Sequence, residues 1–539
     1  MRKILLCFAI IFASASTALA QWSNDYSVNN VIVPDTIENY GYEVKTNNNG
    51  ITYVFFQVPS HKADGTSIIS MRLQILDKDG NKLLAGEGQE ISGEANKTWT
   101  AVNDHLMIDN DGNAIITVID KRTGNDGATA YKYGPDGKLI WGGVALGDGE
   151  PINLIACNRM ACTTDGGYVF AYCAYPTDGS GYIVLEKLNK DGKKVWDNDV
   201  VKIIDSEGKV DYSYPYIVDA GDNQVMLVYA KGTNQDLMGR MIDFDGDRVW
   251  ENDVTIYKGG FTSVPLWTMM SVQQAPNGGA FISWMDSRNQ VNYENCISMI
   301  KNDGDYGFST GEEGTIISND EDNSRTLPSI LYDKEDNVIY FAFEVFNQGS
   351  QGYQGVFMQK MSMDGELLWG SNGKAVCDMQ SDYSYGNVTV QKAGTGRIGV
   401  FYQTLEGISS NSPVSSNVAI YDKDGNTIVP QMNFTTYSNN RSKLKVSPLI
   451  DGKYYLANWS ENRNSSDSYT QAIYMQKVNL EDILATGINT LNNDNNNKKI
   501  VNQEIFNAAG QRVTSADKGV NIIKNTYDDN STESYKVIK

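Results

Sequence analysis

Histidine is almost missing from this chain: its 539 residues contain two, His61 and His105. That removes the commonest general base and metal ligand from nearly every position. His61 lies in the loop-like run Pro59-Ser60-His61-Lys62 and His105 precedes a strand-like run, so both read as solvated side chains rather than catalytic bases. Cysteine is sparse as well. Cys7 lies in the N-terminal apolar run, and Cys157, Cys162, Cys173, Cys296 and Cys377 make an odd remainder. Such a set is no disulfide framework, and its spacing matches no zinc site. Cys157, Cys162 and Cys173 are near enough in sequence to supply one bridge; the alternative is small buried thiols in strands. Basic residues number 45 against 66 acidic ones, a net charge of -21. Without a basic stripe to neutralise phosphates, nucleic acid and anionic membranes are disfavoured as partners. No Gly-x-Ser-x-Gly elbow, His-Glu-x-x-His helix or phosphate-cradling glycine loop occurs. The usual hydrolase, metalloprotease and nucleotide hardware is therefore absent. Proline is scarce too, at 12 against 50 glycines, as many short strands joined by tight turns require.

What is present is a rhythm. Asp-Gly, or a close variant, recurs with Gly80, Gly137, Gly192, Gly246, Gly304, Gly365 and Gly425, at spacings of 54 to 61 residues. Four positions after each glycine stands a large apolar side chain: Leu84, Trp141, Trp196, Trp250, Phe308, Trp369 and Val429. A period of this size marks copies of one supersecondary unit, each too small to bury its own apolar face. Between these turns lies a second set, including Asn49-Gly50, Asp111-Gly112, Asp165-Gly166, Asn277-Gly278 and Asp451-Gly452. Their residues accept the positive φ that tight hairpins demand. Runs rich in aromatic and β-branched residues follow, such as Tyr53 to Val58 and Val338 to Phe343. Four short strands per unit describe a propeller blade, and the absence of long 3.6-period segments predicts almost no helix.

The ends supply the count. The chain after the leader opens Trp22-Ser23-Asn24-Asp25, matching the internal anchors Trp196-Asp197-Asn198-Asp199 and Trp250-Glu251-Asn252-Asp253. It reads as a fourth strand without its three predecessors. Leu444 to Val446, Tyr454 to Trp459 and Ile473 to Val478 read as three strands without a fourth. Joined, they close a ring and remove its free edges. The expected fold is all-β: an eight-bladed β-propeller over 21–485, with seven blades as the alternative.

Arg2 and Lys3, the apolar run Ile4 to Ala13 and Ala18-Leu19-Ala20 have the layout of a secretory signal peptide, assigned to 1–20. The run is too short to span a bilayer, and no later window is long enough, so no transmembrane segment is expected. Residues 486–499 are rich in asparagine, which predicts a linker. Beyond it, residues 500–539 form a separate module of alternating strands, expected to make a small β-sandwich.

Two resemblances add to this. Asp120-Lys121-Arg122, Asp286-Ser287-Arg288 and the variant Glu461-Asn462-Arg463 stand after second strands, and Phe357-Met358-Gln359-Lys360 and Tyr474-Met475-Gln476-Lys477 precede the next turn. This resembles a repeat common in exported Bacteroidetes propellers. The Asp-x-Arg reads as an ion pair tying a loop to the next blade, with ligand binding as the other role. Phe506-Asn507-Ala508-Ala509-Gly510-Gln511-Arg512-Val513, Lys518-Gly519-Val520-Asn521-Ile522-Ile523 and the terminal Lys536-Val537-Ile538-Lys539 resemble the C-terminal sorting domain of the type IX secretion system. The stretch from Tyr527 to Ser534 is longer and more polar than is usual there. That resemblance implies type IX machinery as a partner, and a propeller released or held on the outer cell surface. An ordinary immunoglobulin-like appendage is the competing reading.

Chemistry is harder to place. Asp77-Lys78-Asp79-Gly80-Asn81, Asp109 to Asn113, Asp243 to Asp247 and Asp422 to Asn426 look like calcium loops. Their glycine comes at the fourth position rather than the sixth, and no distant glutamate follows, so they read as hairpin turns. Asn189 to Trp196 similarly imitates a sialidase Asp box but has its Asp and Gly adjacent. Tyr212, Tyr214, Tyr216, Tyr383, Tyr385, Trp99 and Trp267 fall near starts of first strands, where rings could stack on sugars or pack between blades. No catalytic residue, metal or cofactor is nominated, and the binding residues stay unassigned. The leading expectation is a non-catalytic module binding an extracellular glycan or protein. The alternative is a carbohydrate- or peptide-degrading enzyme with carboxylates at the propeller channel; a surface-layer component comes third.

Overall fold

The Asp-Gly turns form for a local reason. In the computed structural model, Asp77 Oδ1 accepts the N–H groups of Asp79 (2.9 Å) and Asn81 (2.8 Å). Asn189, Asp243 and Asp422 do the same two and four residues on. The fourth position then takes φ between +76° and +92° at the seven repeat glycines, a region open to glycine and costly for a β-carbon. These side-chain oxygens are occupied by backbone donors, as a hairpin turn requires. No group of His, Cys, Asp or Glu placed to hold a metal occurs among the described residues.

The structure describes residues 22–538 except 38–40, 62–64, 96–104, 121–125, 151, 153, 197–199, 259–269, 289–291, 321, 351, 407–413, 436–440, 464–470, 494–499, 508, 514–519 and 528–531. The leader, Trp99, Trp267 and Arg122 therefore lie outside the described residues, as do the side chains of Cys157, Asp120 and Asp286. Described strands from 42 to 479 fall into eight antiparallel meanders, here called units 1 to 8: 42–95, 106–145, 154–203, 212–257, 270–316, 324–380, 383–433 and 441–479. Units 1 and 2 share one pair, Ala95 with Asp120, and so count as one larger sheet. First strands from all eight units line a single cavity of about 850 Å³. The meanders thus stand around a common channel as the blades of a β-propeller.

Unit 8 takes its fourth strand from the other end of the chain. Asn30–Val33 pairs antiparallel with Ala472–Asn479, Val31 facing Tyr474. Asn29 Nδ2 donates to Gln476 Oε1 (2.8 Å), and Gln476 Nε2 donates to the Ser23 carbonyl (2.8 Å). Trp22 then sits on unit 1, its Nε1 donating to the Lys78 carbonyl at 2.9 Å.

That last contact is the general rule of the seams. Trp141 donates to Lys190 O (3.0 Å), Trp196 to Phe244 O (3.0 Å) and Trp250 to Asn302 O (2.7 Å). Each indole reaches the Asp-Gly turn of the following unit. A β-carbon on Gly192 would lie 2.7 Å from the Trp141 ring, and one on Gly365 would lie 3.1 Å from Phe308. Each of these turn glycines therefore meets the aromatic of the preceding unit, while Trp196, four residues after Gly192, meets Gly246 of the next one. We expect Gly192→Ala to destabilise by about 2–4 kcal/mol, combining backbone strain with overpacking. Gly208→Ala, also at positive φ but with open space around it, should lose only about 1 kcal/mol. Equal losses for the two variants in urea unfolding would contradict this account of the seams.

Three expectations need correction. A helix, α1 (Leu480–Asn493), occupies the start of the segment read as a linker. Its apolar residues at 480, 483 and 484 recur at helical spacing and pack against Val429, Met432 and Val478, so tertiary burial outweighs the poor propensity of its asparagines. The C-terminal module forms one four-stranded sheet, with Arg512–Val513, Ile500–Asn507, Val520–Tyr527 and Thr532–Ile538 in that spatial order. The second layer of the expected sandwich is not among the described strands. Finally, the Asp-x-Arg variant works inside its own unit. Arg463 Nε meets Glu461 Oε1 at 2.8 Å, its guanidinium lies 4.1 Å from the Tyr474 ring centroid, and it donates to Asn29 Oδ1 of the closing segment. Arg288 stacks on Tyr257 of the preceding unit (4.6 Å), not the next one. A guanidinium finds its best partner in the nearest aromatic face, and here that face lies within or behind the unit.

Candidate functional site

The central channel is built from one strand per unit, and its register is uniform. Glu43 faces Phe55, Arg159 faces Ala171, Tyr216 faces Val228 and Ser271 faces Ser283. Ser329 faces Ala342, Thr389 faces Phe401, and Lys445 faces Asn458. His105 occupies the same level in unit 2, its carbonyl accepting the Thr117 N–H at 2.9 Å. Every unit thus places a polar side chain at one height. Six of these eight residues line the cavity.

The belt is laced from unit to unit. Glu43 accepts the N–H groups of His105 (2.9 Å) and Leu106 (3.2 Å). Arg159 donates to the Tyr216 hydroxyl (3.2 Å) and lies 4.5 Å from that ring's centroid. Ser329 Oγ accepts the Val390 N–H at 3.1 Å. His105 is 2% exposed, with Nδ1 3.2 Å from the Thr117 carbonyl oxygen. It is a buried member of the belt, contrary to the solvated side chain expected. His61 is exposed at a strand end.

Four first strands carry a bulge just before the belt. Register breaks fall between Ala156 and Arg159, Ser213 and Tyr216, Gly386 and Thr389, and Ser442 and Lys445. Tyr214, Asn387 and Lys443 there take φ of +51°, +55° and +59°. Bulges of this kind re-aim backbone groups and cluster at sites. In two of them an N–H turns toward the neighbouring second strand: Tyr214 N–H reaches Cys173 Sγ (3.2 Å), and Asn387 N–H bonds the Glu344 carboxylate.

Glu344 belongs to a second ring at the ends of the second strands. In register with it stand Gln57, Ile119, Cys173, Ala230, Met285, Gln403 and Ser460. The ring is divided. Units 6, 7, 8 and 1 contribute Glu344, Gln403, Ser460 and Gln57, whereas units 2 to 5 contribute Ile119, Cys173, Ala230 and Met285. Desolvation pushes the Glu344 carboxyl up to about 7, the Asn387 N–H opposing it in part. Gln57 is 2% exposed, and neither of its amide atoms has a partner among the described residues.

The charge of the lumen is opposite to that of the whole chain. Lys45, Arg159 and Lys445 line it, and no carboxylate does among the described residues. Lys45 is exposed inside the lumen. Asn458, 3% exposed, also lines the cavity; its Nδ2 donates to the Lys445 carbonyl while its Oδ1 has no partner among the described residues. Of the tyrosines singled out in sequence, only Tyr216 lines this cavity. Tyr212 packs on Tyr229 (5.7 Å), and Tyr385 on Tyr402 (6.2 Å). Cys173 and Cys296 are buried and Cys162 and Cys377 partly buried, and the bridge considered among Cys157, Cys162 and Cys173 involves a side chain outside the described residues.

No family model matches the chain, and no curated protein is significantly similar. Solved structures do align with it. The polysaccharide lyase Uly1 is 11% identical, with 73% of this chain and 93% of that one covered and a TM-score of 0.42. Porphyromonas gingivalis dipeptidyl peptidase 4 is 9% identical, with 79% and 57% covered and a TM-score of 0.41. A Penicillium chrysogenum α-L-arabinanase is 11% identical, with 72% and 97% covered and a TM-score of 0.33. The propeller assignment itself rests on the strand pairings and the shared channel. No helix among the described residues is long and apolar enough to cross a membrane.

Proposed function

We propose that the protein is an exported propeller, spanning 21–485, that binds an extracellular saccharide in its central channel without cleaving it. The observation that carries this reading is the belt: a wide lumen whose apolar walls are set with hydroxyls, an amide, a tyrosine ring and cations, with no carboxylate among its described lining residues. Hydroxyl-rich ligands are held by such mixed polar walls, in which few groups fix orientation. The signal-peptide layout of 1–20 and the strand and turn pattern of 500–539 support export by type IX machinery and a place outside the cell. In the C-terminal module, Asn507 Oδ1 holds the N–H groups of Ala509 and Gln511 (both 3.0 Å), fixing the turn that resembles the sorting domain's.

A second reading, a carbohydrate-degrading enzyme, is favoured by one observation, the near-neutral carboxyl of Glu344. Glycoside hydrolysis asks for a pair of carboxyl groups about 5–9.5 Å apart, whereas Glu344 is not among the residues that line the lumen and no other carboxylate is among the described ones that do. A glycan array with the full chain, followed by reducing-end assays on every hit, separates the two. Binding without product is expected. Turnover lost in Glu344→Gln would establish the enzyme instead, and an array without hits would remove both.

A further inference from the structure

We propose that the outer strand of unit 2, Leu139–Ala145, pairs with the same strand of a second copy of this chain and joins two propellers edge to edge. Each blade ends in an outer strand whose unpaired backbone groups face solvent. Such edges are normally kept short, or guarded by charge or proline. Among the described outer strands seven of eight follow that rule. Those of units 3, 4, 5 and 8 have three, four, two and four residues. Those of units 1, 6 and 7 have seven, but Glu90 and Glu94, Lys374 and Asp378, and Pro430 interrupt them. Leu139–Ala145 also has seven and carries neither charge nor proline. Register breaks twist it against its inner neighbour, yet the outer strands of units 1, 6 and 7 share that device. The missing guard is what sets unit 2 apart.

The strand is firmly held and openly presented. Trp141 anchors it by donating to Lys190 O across the seam, and Val144 packs beside it on the core of units 2 and 3. Leu139 and Ile140 are 50% and 52% exposed. Gly142 and Gly143 leave the backbone bare, and at Gly143, with φ of +68°, a β-carbon would meet only open space. Glycine inside a strand commonly marks the close approach of another backbone. The chemistry favours a second copy over a foreign peptide. Sites that add a foreign strand select it through pockets for alternate side chains, whereas Leu139 and Ile140 stand out from the surface. About a two-fold axis through Gly142, antiparallel pairing sets Leu139 and Ile140 of each copy opposite Ala145 and Val144 of the other, apolar against apolar. A net charge of -21 makes copies repel over most of their surface, but residues 137–147 contain no carboxylate and one lysine, Lys138. The contact lies on the rim, away from the channel, and does not depend on the saccharide reading.

The test is sedimentation velocity of the full chain over a concentration series. A monomer–dimer equilibrium is expected, and Ile140→Lys or Leu139→Lys should each weaken it at least tenfold by placing a charge on the edge. Val249→Lys, at an exposed apolar residue of unit 4, should leave it unchanged. A peptide copying residues 138–146 should compete with the dimer. Hydrogen exchange on the parent reads the same contact without any substitution: amides within 139–145 should slow as concentration rises. A parent that stays monomeric throughout, a dimer indifferent to both lysine variants, or exchange at 139–145 independent of concentration would overturn the proposal. A monomeric parent that nevertheless binds the peptide would assign the edge to strands of other proteins, and would equally overturn pairing with a second copy.

Discussion

Glu344→Gln is expected to raise the free energy of unfolding at pH 8 by about 2–3 kcal/mol and to change it little at pH 4. The sign follows from where the proton is bound. The carboxyl holds its proton up to about pH 7 in the folded chain, against 4.5 for an ordinary glutamate. Below pH 4.5 both folded and unfolded forms are protonated, and the residue costs nothing. Between 4.5 and 7 the unfolded chain releases the proton and the folded one does not, so stability falls as pH rises. Above 7 the loss is complete. Each tenfold change in proton affinity corresponds to about 1.4 kcal/mol, and the partial exposure of the side chain lowers the total. Glutamine keeps the acceptor for the Asn387 N–H and removes the charge. Urea midpoints of parent and variant at pH 4, 6 and 8 measure the difference. A difference constant across that range would show that Glu344 is an ordinary, solvated carboxylate.

Removal of residues 22–33 should have a still larger effect, concentrated at the far end of the propeller. Ile32, Val33 and Trp22 are 2%, 0% and 7% exposed, and burying three such side chains contributes roughly 5–8 kcal/mol. Their loss would also leave the whole edge of Ala472–Asn479 unpaired. Helix α1 would lose a tie as well, since the Tyr26 hydroxyl donates to Asp482 Oδ2 at 3.0 Å. Limited proteolysis should therefore cut within 441–493 long before units 3 to 5 are touched. If cleavage instead began evenly across all units, the ring would not be closed by this segment. Trp22→Ala alone isolates the indole, with an expected loss of about 3–5 kcal/mol.

The fold is legible in the sequence because its signals are local. An Asp or Asn that caps its own turn, a glycine at positive φ and an aromatic four residues on can all be seen in a string of letters. The likeness of Trp22-Ser23-Asn24-Asp25 to internal anchors even discloses the seam. The belt is not legible in this way because its chemistry changes from unit to unit: Glu43, His105, Arg159, Tyr216, Ser271, Ser329, Thr389 and Lys445 share a height and nothing else. Bulges in four units also break the spacing that would align them. One signal is available. Glu43, His105, Arg159, Ser271, Ser329 and Thr389 each stand four residues before the one that opens the first hairpin turn, namely Asn47, Asp109, Thr163, Ala275, Asp333 and Ala393. Helix α1 is hidden differently, by asparagines that mask Leu480, Ile483 and Leu484.

The seam between the two ends also sets an order of events in time. Asn29 and its partner Gln476 are 447 residues apart, so on the ribosome the first must wait for the synthesis of the second. Loop closure over that distance is entropically slow, and until it happens the last unit lacks its outer edge. A nascent chain therefore stays an open arc, with every other unit already able to pair its own strands, until residues near 476 have been made.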